Sequence, residues 1–180
     1  SYFSGVLDGG GYQLNYADQS QPLFKYVSRG TIKNLKIYGK EIQGAGLIGS
    51  YWIDYHVGAN ISNVTLVSGT STKGAGLMAG ASSSMNPSYI KNCVAEEGVI
   101  IGYDKKASGI GSFSGGLVGT IENCRSAATV YGGGNIGGIV GSKSNSMGMY
   151  WMKNCSFTGK IEATGRFVGG IAGGGYVSNS

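Results

Sequence analysis

The chain is poor in the groups that most catalytic centres and helical folds are built from. Of its 180 residues two are proline, three cysteine and one histidine, and only 13% are charged. No run of residues reads as a membrane span or a signal peptide, and none shows the period of an amphipathic helix. The net charge of +5 is spread from Lys25 to Arg166, and Lys105-Lys106 is its one basic pair. Without aromatic and basic residues interleaved, this pattern argues against a nucleic-acid partner. Glycine is abundant, 35 residues, yet no Gly-x-y period exists, which excludes collagen. None of these glycines opens a predicted helix, so a phosphate-binding loop is not indicated.

What is present is a repeat. Ile32-Lys33-Asn34-Leu35 returns as Ile61-Ser62-Asn63-Val64, Ile90-Lys91-Asn92-Cys93, Ile121-Glu122-Asn123-Cys124 and Met152-Lys153-Asn154-Cys155. The asparagines advance by 29, 29, 31 and 31 residues. A period of about 20–50 residues marks a solenoid, whose stacked units bury one continuous core. A glycine motif interleaves with the first: Gly44–Gly49, Gly74–Gly80, Gly115–Gly119, Gly137–Gly141 and Gly169–Gly173, with a degenerate copy at Gln21–Lys25. The apolar runs are short and alternate with period two, as strands do. One all-β solenoid domain over residues 1–180, of about five to six coils, is therefore expected. Both ends are expected to be cut rather than capped, so that the chain belongs to a longer protein.

Alternation assigns directions. Leu35, Val64, Cys93, Cys124 and Cys155 form one inward column, and Ile37, Leu66, Ala95, Ser126 and Phe157 a second. The residue two before each asparagine also points inward, so the chain must bend at the asparagine. Asparagine suits that bend because it tolerates the left-handed backbone region. Asn34, Asn63, Asn92, Asn123 and Asn154 are read as a structural ladder of amides stacked about 4.8 Å apart, facing inward. The three cysteines share one repeat position and are expected as buried, free thiols.

The opening Phe3-Ser4-Gly5-Val6-Leu7-Asp8-Gly9-Gly10-Gly11-Tyr12, the glycine copies and the Asn-Cys pairs together resemble the GLUG-motif regions of bacterial surface proteins. These include adhesin-like proteins and the N-terminal parts of immunoglobulin-A-cleaving metallopeptidases. The resemblance covers nearly the whole chain and is specific for the repeat class, not for an activity. It implies a right-handed parallel β-helix and an extracellular, secreted or wall-anchored location. The peptidases' His-Glu-x-x-His zinc motif is missing, since His56 stands alone, so neither a metal nor proteolysis is assigned to this segment.

The carboxylates give no enzyme signature either. Asp8, Asp18, Asp54 and Asp104 do not recur at one repeat position, Asp8 lies in a Leu-Asp-Gly corner, and Glu96-Glu97 reads as a solvated pair. No catalytic residue and no cofactor is assigned. The stretches between a glycine motif and the next asparagine motif are richer. They carry Tyr51-Trp52-Ile53-Asp54-Tyr55-His56, a segment ending at Tyr89, and Tyr150-Trp151. Tyr51, Trp52, Tyr55, Tyr150 and Trp151 are the candidate ligand-binding residues, against the alternative that they only cover the apolar end of each coil. A further excursion, Gly102–Gly115, reads as a recognition loop or a tolerated insertion. The expected role is a non-catalytic extracellular module for adhesion or recognition of a host glycan, cell-wall polymer or extracellular protein. A carbohydrate-active β-helix enzyme and a passive wall spacer are the alternatives.

Overall fold

Each asparagine motif forms a strand that lies beside the one before it and runs the same way. A computed structural model describes residues 3–49, 58–79, 87–117, 119–143 and 151–174, and among these every regular element is a strand. The largest sheet climbs through six rungs. Val6–Asp8 and Gln13–Asn15 pair with Thr31–Tyr38, which pairs with Asn60–Leu66. Next come Ser88–Lys91 with Val94–Ala95, Gly119–Glu122 with Arg125–Ser126, and Trp151–Lys153 with Ser156–Phe157. Every pairing is parallel, and motif residues sit opposite motif residues: Ile32 beside Ile61, Ile61 beside Ile90, Ile90 beside Ile121, Ile121 beside Met152. A second sheet stacks Ser71–Thr72, Ile100–Ile101, Thr129–Gly132 and Lys160–Ala163, and a third stacks Ser108–Ile110, Gly134–Gly137 and Val168–Gly169. The chain is a parallel β-helix.

The core fills the coil from inside, one layer per rung. Ile32, Ile61, Ile90 and Ile121 are sealed from solvent, as are Ile37, Leu66 and Ala95 in the column beyond the asparagine. Burying a side chain of this size stabilises by about 1.5–3 kcal/mol, so the stacked isoleucines are the main cohesive column. Ser126 takes an inward position as a polar residue, and its hydroxyl is 2.7 Å from that of Ser112, also buried. The pair satisfies two hydroxyls that would otherwise be stranded in an apolar column. At the last rung Met152, Cys155 and Phe157 are only partly buried, because no described strand covers them.

The third glycine motif lies elsewhere than the sequence pattern suggests. Leu77 occupies the place of Leu47, and the next coil continues it with Phe113, not Leu117. The Met78 N–H donates to the Phe113 carbonyl, that of Phe113 to Ile139, and that of Ile139 to Ile171. Gly111-Ser112-Phe113 thus replaces Gly115-Gly116-Leu117 as the structural copy, and Phe113 is fully buried. Residues Ser114–Leu117 run on as a strand beside Val140–Lys143. The glycine before Leu77 is needed for close approach: a β-carbon on Gly76 would run into the Ser112 carbonyl.

The asparagines adopt the left-handed conformation in all five motifs, with φ between 50° and 55°. Their amides face outward, which corrects the inward column expected from alternation: Asn63, Asn92, Asn123 and Asn154 are exposed. They still bond along the helix. Asn63 donates to Asn34 at 3.0 Å, Asn123 to Asn92 at 3.2 Å and Asn154 to Asn123 at 3.1 Å. Asn34 in turn donates to the Asp8 carboxylate at 3.0 Å, so Asp8 caps the column in the coil that has no ladder asparagine. The run is interrupted between Asn63 and Asn92, where no such bond forms.

Cys93 and Cys124 are buried, Cys155 is partly so, and all three are free thiols. The Cys93 N–H points at the Cys124 sulfur at 3.4 Å, and each thiol donates to the carbonyl two residues earlier. A hydrogen bond with Cys155 works to lower the Cys124 thiol pKa, but the bond with Cys93 and burial outweigh it and push it up to about 12. The bond with Cys124, then burial, pushes Cys155 up as well.

Two outcomes follow from these columns. Replacing Asn123 with Ala should cost about 2 kcal/mol, from left-handed strain plus lost amide bonds. Asn123→Gly should cost about 1 kcal/mol less because glycine removes the strain, and Arg125→Ala should stay within about 0.5 kcal/mol. Denaturant melts of the three variants check this; equal losses for Ala and Gly would remove the conformational explanation. For the cysteines, a thiol reagent at pH 8 should react slowly with native protein and with three thiols once the chain is denatured. A thiol raised in the fold stabilises fully below its unfolded pKa, and that contribution fades as pH climbs through about 12.

Candidate functional site: an outward aromatic and cationic face

The asparagine bend fixes which residues of each rung point away from the core. Three before the asparagine, the outward column reads Thr31, Asn60, Tyr89, Thr120 and Trp151, with each residue in register with the next. One before it, the column reads Lys33, Ser62, Lys91, Glu122 and Lys153. Over the last three rungs the two columns enclose an open groove of about 250 Å³ lined by Tyr89, Lys91, Thr120, Glu122, Trp151 and Lys153. Tyr89 is 41% and Trp151 49% exposed. Large aromatic surfaces left open on a flat sheet bring contact area at low entropic cost.

Charge on this face is unequal. Lys91 pairs with Glu122 at 3.3 Å. Lys153 and, just past the bend, the exposed Arg125 have no carboxylate partner among the described residues. An ion pair this exposed contributes little to stability, about 0–1 kcal/mol. Its effect is to hold the Lys91 and Glu122 heads in place beside the aromatic column.

Of the sequence-derived candidates, Trp151 belongs to this face, while Tyr51, Trp52, Tyr55 and Tyr150 lie outside the described residues, as does His56. Thr120, Lys91, Glu122 and Lys153 were missed. Their signal was available, since they stand one or three places before the ladder asparagines, but the outward columns carry no hydrophobic pattern to draw notice. The Gly102–Gly115 excursion is tied to the body. The Tyr103 hydroxyl accepts from Gln43 at 2.8 Å, Asp104 lies 3.8 Å from Lys73, and Lys105 sits 4.6 Å over the Tyr131 ring.

Several of the described carboxylates serve local structure. Asp8 accepts from Asn34, from the Gly10 N–H at 3.0 Å and from Lys33 at 3.3 Å; these bonds, that of Asn34 foremost, hold its pKa below the usual range. Glu96 accepts from the Ser68 N–H, and Glu162 pairs with Lys160. Among the described residues no group of three His, Cys, Asp or Glu side chains could hold a metal ion.

A parallel β-helix with an open aromatic and cationic face is thus the class this chain defines. No family model and no curated protein matches the sequence. Among solved structures it is similar to a Bacteroides ovatus protein described as a "putative immunoglobulin A1 protease", with a TM-score of 0.58 and 19% identity. The match covers 87% of this chain but 61% of that one, and at this identity it speaks for the fold alone.

Proposed function

We propose that this chain is a non-catalytic β-helix module that recognises a ligand within a larger secreted or surface-attached bacterial protein. The observation that carries the reading is the outward face, where Tyr89 and Trp151 stand open beside Lys91 and Lys153 on the sheet. Described carboxylates such as Asp8, Glu122 and Glu162 are engaged in ion pairs or turns, which supports a binding role over hydrolysis or elimination. The likeness to a longer Bacteroides protein supports a module that works beside other domains and outside the cell. Adhesion and substrate positioning for a neighbouring domain are both served by such a face.

The purified chain should be immobilised and presented with host glycans, cell-wall polymers and extracellular matrix proteins. Saturable binding without new reducing ends or unsaturated products is the expected result. Turnover of any polysaccharide would replace this reading with the carbohydrate-active one, and no binding at all would favour a spacer.

A further inference from the structure

The rungs of the largest sheet act as a ruler. Adjacent parallel strands lie about 4.8 Å apart, so Tyr89 and Trp151, in register and two rungs apart, are offset by about 10 Å along the helix axis. Thr120, a small side chain, occupies the rung between them. Two aromatics spaced two rungs apart match a ligand that shows the same face at every second unit. Extended polysaccharides with equatorial 1,4-linkages do this: successive sugars turn over, and one disaccharide spans about two rungs. Axial 1,4-linkages buckle the chain, so its sugars do not lie flat along the axis.

We propose that an extended, anionic, equatorially 1,4-linked polysaccharide lies along the helix axis over Tyr89, Thr120 and Trp151. This rests on the recognition reading above and gives it a ligand class. The aromatic rings stack on alternate sugar faces, and Thr120 leaves room for the substituents of the sugar between them. The second column lies two residues further along each strand, about 7 Å away, within reach of the sugar edges. There Lys91 and Lys153 face a single carboxylate, Glu122, so the local field favours uronate or other acidic groups. An extended peptide fits less well. Ser88–Lys91 and Gly119–Glu122 are hydrogen-bonded on both sides, leaving no free strand edge under Tyr89 or Thr120 for a peptide backbone to join.

The test uses three oligosaccharide probes of equal length, measured by calorimetry. Oligomannuronate is anionic with equatorial 1,4-linkages, cellohexaose has the same linkage without charge, and oligoguluronate has the charge with axial linkages. Oligomannuronate should bind tightest and weaken as salt is added, with oligoguluronate weaker by about tenfold or more. Tyr89→Ala and Trp151→Ala should each lose about tenfold for oligomannuronate and for cellohexaose. Lys153→Gln should weaken oligomannuronate while leaving cellohexaose unchanged, and Tyr12→Ala, at an exposed ring in the first coil, should change nothing. Unaltered melting curves confirm that these surface variants fold. Equal binding of oligomannuronate and oligoguluronate, or binding that survives both aromatic substitutions, overturns the proposal. If all three probes fail while a protein or another glycan binds in the wider screen, the ligand class is wrong and the recognition reading stands; if nothing binds there either, both fall.

Discussion

A strand that alternates strictly cannot place residues three apart on one face, yet the coils of Asn34, Asn63, Asn92 and Asn123 each bury both the residue two before the asparagine and the residue just after it. The left-handed turn at the asparagine reconciles the two. With φ near +50° the backbone swings enough for Ile90 and Cys93, or Ile121 and Cys124, to enter the same core. Most side chains resist that conformation, and asparagine resists it least among non-glycine residues. Its amide then bonds to the next rung from outside, so one residue type supplies both the bend and a lateral tie. The parallel register, the layered core and the two outward columns all depend on where that bend falls.

This is also why so much of the fold could be read from the sequence. The asparagine spacing exposed the period, and the neighbours two before and one after revealed the inward columns that Ile32, Leu35 and their successors form. The direction of the amides themselves was misjudged. Alternation counted from the isoleucine fails at a left-handed residue, and only the backbone geometry shows the side chain turned to solvent. The third glycine motif was misplaced for a different reason. Gly115-Gly116-Leu117 fits the pattern better than Gly111-Ser112-Phe113, but the core position takes the large apolar Phe113, which comes first along the chain and is fully buried. The apparent length of the excursion before it was exaggerated by the same choice.

The candidate site was legible only in part. A search for aromatics in irregular stretches named Tyr89 and Trp151 but not the residues around them, because Thr120, Lys91, Glu122 and Lys153 are united by repeat position and share no chemical type. In a solenoid an outward column is a site whenever neighbouring rungs carry complementary groups. Such a column has no motif in the ordinary sense; it becomes visible only after the units are aligned in register.

That property bears on what kind of ligand a face like this suits. An enzyme centre needs unlike groups converging on one reacting atom from different directions. A β-helix face offers the reverse: like positions repeated in a line, at a spacing set by backbone hydrogen bonds and therefore hard to deform. Stiffness of this kind limits what it can wrap around, but it favours ligands that are themselves linear and periodic, because each added unit meets the next rung without further ordering of the protein. The low charge and small side chains over much of the surface fit the same logic. In the outward columns before the asparagines, Tyr89 and Trp151 are the aromatic positions and Lys91 and Lys153 stand beside them, so a periodic ligand can be read by where those features fall along the axis.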